Sequence, residues 1–379
     1  MAPFGILMNG IAMVAVMIAR RGIAAAAERS VVAARLRKLY ALIAALLALR
    51  LAMAVVTNSA LAVALMLLAS WLPLIALRLV EELRRRHAPT LVKLLALFGG
   101  IGFSVLAVTL GFVWSRVTLL GLAAFQAVML AAMIALLAGS RRDLGTAERR
   151  TADTFLMALL LGIPLVATDF TALFTDLAVR GGPFAFLLLV LATSRLVSEE
   201  GSPLRLARDL AVAAGAGGLT VGLGVAALRT VDASEGVALA AGGAGIAMLL
   251  LLVERFAVVR RHEPGLISAL AGAPDGDRDA IIAAHPLLAS GRILADGELA
   301  RYPAASLSHL VEHRVISADM RDPDARDAGR DLLDSAGATH LLRLSRQPPR
   351  FLAIAAGGLA GSLLDDELAI AARLIERVS

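Results

Sequence analysis

Through the first 260 residues, long apolar runs alternate with short gaps, and the basic residues crowd into every second gap. Five gaps hold Arg20, Arg21, Arg29, Arg35, Arg37 and Lys38; Arg78, Arg84, Arg85, Arg86 and Lys93; Arg141, Arg142, Arg149 and Arg150; Arg195, Arg205 and Arg208; and Arg255, Arg260 and Arg261. The gaps between them hold only Arg116, Arg180 and Arg229. Apolar segments in lipid must satisfy their own backbone groups, so the runs read as helices. The charge count, 21 against 3, predicts that the rich gaps face the cytoplasm and the poor ones face outward.

A crossing helix needs roughly 20 mostly apolar residues. Nine candidates fit the alternation, at 3–19, 39–57, 59–78, 94–113, 117–138, 154–174, 182–197, 208–228 and 236–253. The first and seventh are short and the third has room to tilt or re-enter, so eight spans is the alternative. Nine places the N-terminus outside and the C-terminal region in the cytoplasm, as expected of a multi-pass protein of the bacterial inner membrane. The first run carries its basic cluster behind it, the reverse of a signal peptide, and reads as a retained span. At 59% hydrophobic residues the chain exceeds the roughly 45–50% of soluble domains, an excess that lipid absorbs.

The net charge of +6 divides unevenly. Residues 1–262 carry 25 Lys/Arg and 14 Asp/Glu, and residues 263–379 carry 12 and 17. The basic excess therefore lies beside the membrane, where anionic lipid is its natural partner. No basic stripe with interleaved aromatics suits nucleic acid. With no cysteine, disulfides, thiolate catalysis and Cys-ligated metals are excluded.

At His262-Glu263-Pro264-Gly265 the apolar runs shorten and charges begin to alternate, which predicts a second, small α/β domain at 263–379. Helices are expected at 277–285, 304–314, 324–335 and 364–378, and strands at 292–294, 315–317, 339–345 and 351–356. The last helix opens on Asp365, Asp366 and Glu367, acids suited to a helix N-terminus.

Two stretches resemble known families. SLSHLVEHRVIS, GATHLLRLSRQPPRFLAIAAGG and SLLDDELAIAARLIERVS are similar to the second half of a GAF domain, with Phe351–Gly357 and Asp365–Ile375 matching best. The front half is short. ERSVVAARLRKLYALIAALLALRLA, the run containing Pro73, and TADTFLMALLLGIPLV resemble the multi-pass sensor region of bacterial membrane histidine kinases of the PEP-CTERM-associated kind. In that family such spans precede a GAF domain and then a kinase core. Residues 263–379 hold neither a phosphoacceptor helix nor nucleotide-binding boxes, so the resemblance implies a sensor without the kinase.

Individual motifs remain to be weighed. His309-Leu310-Val311-Glu312-His313 spells H-x-x-E-H, and on one helix His309 and His313 would share a metal with Glu312 as base, the pattern of a zinc protease. The plainer reading is a solvated helix face. Arg50 and Asp169 fall inside apolar runs at similar depth. Intramembrane charges pair or line cavities, so the two are expected to pair beside a site for a small or lipid-like ligand, or to form a purely structural bridge. Gly218 and Gly222 suggest close helix contact. Asp275, Asp277 and Asp279 lack the glycine and distal Glu of a calcium loop. Leu368, Ala371, Ala372 and Ile375 form an apolar stripe expected to serve as a partner surface, for a separate kinase or a second copy of the chain. The function expected is non-catalytic relay without a cofactor; a transporter or channel is the alternative, and a zinc protease a third reading.

Overall fold

The computed structural model describes residues 3–24, 27, 31–56, 58–84, 86–109, 116–140, 146–170, 177, 179–197, 203–228, 231–262, 266, 270, 272, 277–317, 322–355 and 362–378. Two compact units emerge: Met1–Arg142 with Thr151–Val258, and Asp143–Arg150 with Val259–Ser379.

The first unit is helical among its described residues: α1 (Pro3–Gly22), α2 (Val31–Val55), α3 (Ser59–Arg84), α4 (Thr90–Val108), α5 (Arg116–Ser140), α6 (Thr146–Ala167), α7 (Gly182–Val197), α8 (Pro203–Leu228) and α9 (Ala233–His262). Eight of these are long and apolar enough to cross a membrane, and α7 is shorter, with an apolar stretch of Gly182–Ser194. The chain is thus a multi-pass membrane protein by the length and composition of its helices. Exposed side chains agree with lipid as solvent: Leu91, Leu95, Phe98 and Val105 project from α4 without protein cover. No residue of α7 between Gly182 and Ser194 is exposed, so that helix stands inside the bundle.

The glycines of α8 act differently from the spacing expected. A Cβ at Gly218 or Gly222 would meet nothing, whereas one at Gly217 would come within 2.6 Å of the Ala240 carbonyl oxygen on α9. Gly243 answers from α9, where a Cβ would lie 2.9 Å from the Ala216 carbonyl oxygen. Gly217 and Gly243 therefore set the approach of the two backbones, and the Gly218–Gly222 expectation is corrected.

The second unit holds α10 (Arg278–Ala283), α11 (Pro286–Ala289), β1 (Arg292–Ile293), α12 (Asp296–Leu299), α13 (Ala304–Glu312), β2 (Val315–Ser317), α14 (Pro323–Ala336), β3 (His340–Ser345), β4 (Arg350–Ile354) and α15 (Ser362–Val378). Its strands form a four-stranded sheet in the order β1-β4-β3-β2, with every pairing antiparallel. Alternation along β3 and β4 sends Leu342, Leu344, Leu352 and Ile354 to one face, against α10, α11 and α15. Leu341, Phe351 and Ala353 go to the other, against α12, α13 and α14. The result is a sheet with helices on both faces.

Local signals explain the boundaries. Asp322 caps α14 by accepting from the Asp324 and Ala325 N–H groups, and Pro323 follows at the first helical position. Gly337 closes the helix at φ 63°, a left-handed conformation that costs glycine nothing. Asp277 caps α10 by accepting from the Asp279 N–H, so these two acids of the acidic run serve a helix start. Asp275 lies outside the described residues.

Candidate ligand site among the membrane helices

Arg50 sits near the C-terminal end of α2, and Asp169 follows the last turn of α6. Arg50 Nη1 donates to Asp169 Oδ2 at 2.6 Å. The other carboxylate oxygen, Oδ1, accepts from the Gly182 N–H at 2.9 Å. Beside it, Thr168 Oγ1 accepts from the Gly181 N–H at 2.6 Å. Arg180 Nη1 donates to the Thr168 and Asp169 carbonyl oxygens at 3.3 and 3.2 Å. The arrangement ties α2, the end of α6 and the start of α7 into one polar node. Asp169 is the deeper partner, its side chain 11% exposed against 25% for Arg50. In a medium of low dielectric each charge needs the other.

Close backbone approach makes the node possible. A Cβ on Gly181 would lie 2.6 Å from the Leu165 carbonyl oxygen, and one on Gly182 would collide with the Asp169 carboxylate. Gly181 therefore has no room for a side chain against that backbone, and a side chain at Gly182 would displace the carboxylate.

Below the node, α2, α3, α5, α6 and α7 enclose a cleft of about 450 Å³, within the range of small-molecule sites. Its wall on α6 is the helical face Phe155, Leu159, Ile163, Val166 and Ala167, and Phe170, the neighbour of Asp169, also lines it. Among the described lining residues Gln126 is the one whose side chain carries a polar group. Its Nε2 donates to the Ala69 carbonyl oxygen at 3.1 Å. Pro73 lies four residues beyond Ala69 and has no N–H to give it. Gln126 on α5 therefore fills the gap that a proline leaves in the ladder of α3. Ala124 and Ala127, one turn apart on α5, are exposed and border this space.

At the opposite end of the bundle, Arg255 of α9 pairs with Asp209 of α8, and its Nη1 donates to Ser194 Oγ at 3.2 Å and the Leu191 carbonyl oxygen at 3.4 Å on α7. Nearby in the fold of the same helices, Tyr40 of α2 shares a buried hydroxyl hydrogen bond with Thr193 of α7.

The remaining sequence candidates fall in the second unit. The H-x-x-E-H geometry does not form: α13 stops at Glu312, and His313 is extended, with ψ 136°. The chain must straighten there to enter β2. His313 Nε2 instead faces Asp322 Oδ2 at 3.3 Å, and no cluster of three metal-ligating side chains occurs among the described residues. The stripe Leu368, Ala371, Ala372 and Ile375 is fully buried against the sheet, which corrects the expectation that it forms a partner surface. The outward face of α15 carries Asp366, Ile370, Arg373 and Arg377.

One buried cation escaped the sequence reading. Arg343 on β3 is completely buried. Its Nε donates to Glu376 Oε1 of α15 at 2.8 Å, and its Nη1 donates to the Val311 carbonyl oxygen at the end of α13. Arg314 Nε lies 3.4 Å from Glu376 Oε2. Burial pushes the Glu376 carboxyl up, but the Arg343 hydrogen bond and charge, with Arg314 behind them, outweigh it and hold the group below its ordinary range. The ladder slips beside Arg343, where β3 and β4 change register between Arg343 and Ser345.

No family model, curated protein or solved structure matches this chain.

Proposed function

We propose that the chain is a non-catalytic membrane signalling protein, in which the helix bundle receives a membrane or external stimulus and the C-terminal unit passes the change to a cytoplasmic protein, such as a separate kinase. The observation that carries this reading is α9. It is one helix of 30 residues that contains the apolar span Ala233–Phe256 and continues to His262, past the division of the chain between the two units at Val258 and Val259. A helix transmits displacement along its length because each backbone hydrogen bond resists extension. Arg255 joins α9 to α7 and α8 at the foot of that span, so a rearrangement of those helices acts directly on α9.

The basic-residue count supports an inner-membrane protein with its N-terminus outside and its C-terminal unit in the cytoplasm, α7 serving as the ninth crossing. The sheet covered on both faces, closed by an amphipathic helix with Asp365, Asp366 and Glu367 near its start, supports a GAF-like reading of the second unit. A partner would meet the exposed face of α15 that includes Ile370, 38% exposed.

The test uses the full chain in native membranes. A single cysteine replacing exposed Leu177 should label with an impermeant thiol reagent in intact cells, and one replacing exposed Ser308 only after lysis. A photoreactive side chain at Ile370 should crosslink one specific protein, and ATP should not phosphorylate the purified chain. Labelling of the Ser308 variant in intact cells, self-phosphorylation, or no crosslinked partner overturns the reading.

A further inference from the structure

We infer that the cleft below Arg50 and Asp169 holds the hydrocarbon tail of an anionic single-chain amphiphile, whose head group lies against Arg50 and Arg180. The inference rests on the receiving half of the signalling reading and supplies its ligand class.

Three observations lead there. The cleft is lined by hydrocarbon apart from Gln126, whose amide N–H is engaged by the Ala69 carbonyl. Its wall on α6 runs from Phe155 to Ala167, 13 residues, or about 18 Å of helix. That is a space for an extended chain, and a single Gln126 among the described lining residues is too little polar surface to read a sugar, a nucleotide or a peptide. At the end bordered by Phe170 stands the charged node. There, two guanidinium groups flank one carboxylate: Asp169 is matched by Arg50, and Arg180 donates to backbone carbonyl oxygens. Among the described residues the node therefore carries one positive charge beyond its carboxylate, and a guanidinium with donors to spare favours a carboxylate or phosphate. Phe170 lines the cleft and adjoins Asp169 in the chain, so tail space and head-group charge meet at one place.

A fatty acid and a lysophospholipid share this chemistry. Binding to the full chain in detergent-free nanodiscs is measured with three probes: palmitate, 1-palmitoyl-glycerol 3-phosphate and uncharged 1-palmitoylglycerol. One or both anionic probes should bind with one site per chain, and whichever binds tighter identifies the source. Ala127→Trp, placed on an α5 position that borders the empty space, should abolish binding while leaving the purified protein monodisperse. Arg180→Gln leaves the Arg50–Asp169 pair intact and should weaken anionic binding about tenfold with little change for the uncharged probe. Independently of any variant, palmitate bearing a terminal diazirine should label α5 and α6 peptides that line the cleft. Equal binding of charged and uncharged probes, unchanged binding in a well-folded Ala127→Trp protein, or photolabel confined to the lipid-facing side of α4 overturns the inference. Loss of probe binding with the Ile370 crosslink intact removes the ligand class alone. Intact probe binding without any crosslinked partner removes the relay and leaves the ligand site standing.

Discussion

Gln126 supplies to Ala69 the hydrogen bond that Pro73 withholds. The carbonyl of Ala69 sits in the middle of a membrane span, where water does not compensate a missing donor, and the amide of Gln126 reaches it at 3.1 Å from another helix. Gln126→Leu should cost about 1–3 kcal/mol, the penalty of a buried polar group left unpaired. Pro73→Ala restores the backbone N–H, so adding it to Gln126→Leu should recover most of that loss. Thermal unfolding of the purified variants checks both, and a double variant no more stable than Gln126→Leu refutes the pairing.

Arg50→Gln and Asp169→Asn should each lower stability, because each strands the opposite charge. Their combination should cost less than the sum, with a coupling of about 0.5–3 kcal/mol. A double-mutant cycle on membrane abundance or unfolding gives that coupling directly. Strict additivity would mean the contact contributes nothing.

Gly181→Ala introduces a methyl group against the Leu165 backbone, which has no flexible end to yield. Overpacking of this kind costs about 1–3 kcal/mol. The change should separate the start of α7 from the end of α6. A control at Gly218, where a Cβ meets nothing, should be neutral or slightly stabilising. Equal loss at the two positions contradicts the close approach.

In the second unit, Glu376→Gln leaves Arg343 charged, buried and unmatched, at about 3–5 kcal/mol. Replacing both by Arg343→Met and Glu376→Leu should cost much less. The carboxyl is held below its ordinary range in the fold, so its contribution is present above the unfolded value of about 4.3 and is lost as pH falls through the lower folded value. Pulse proteolysis of the unit across pH 2–7 should therefore show an acid limb that Glu376→Gln flattens.

Asp322→Ala removes the cap of α14 and should destabilise it by about 0.5–2 kcal/mol. His309→Ala, on an exposed helix face, should change neither stability nor metal content. One zinc per chain, lost with His309, would restore the protease reading.

What could be read in advance follows a physical line. Spans were legible because lipid imposes a length on apolar runs, and Arg50 and Asp169 stood out because charge is rare within them. Helix α15 was legible as amphipathic, yet its stripe of Leu368, Ala371, Ala372 and Ile375 says only that one face is covered. Whether an intramolecular sheet or another protein covers it depends on β3 and β4, which no periodicity in α15 reports. Arg343 was hidden for a related reason: within HLLRLS it looks like an outward position of an alternating strand, and its partner Glu376 lies 33 residues away. The helical spacing of His309 and His313 failed where Val315 and Ile316 pull the chain into an extended edge strand. Likewise, glycine spacing along α8 shows that close approach is affordable but not which residue faces α9.

Helix α7 is enclosed by its neighbours. At 16 residues it measures about 24 Å, short of a hydrocarbon core near 30 Å, and a lipid-facing helix of that length would thin the bilayer around it. Between Gly182 and Ser194 no α7 residue is exposed, so membrane thickness acts on its neighbours and leaves this central post alone. Its two ends are fastened to neighbouring helices, at Thr193 with Tyr40 and at Gly182 with Asp169, so protein contacts rather than lipid set its height in the bundle.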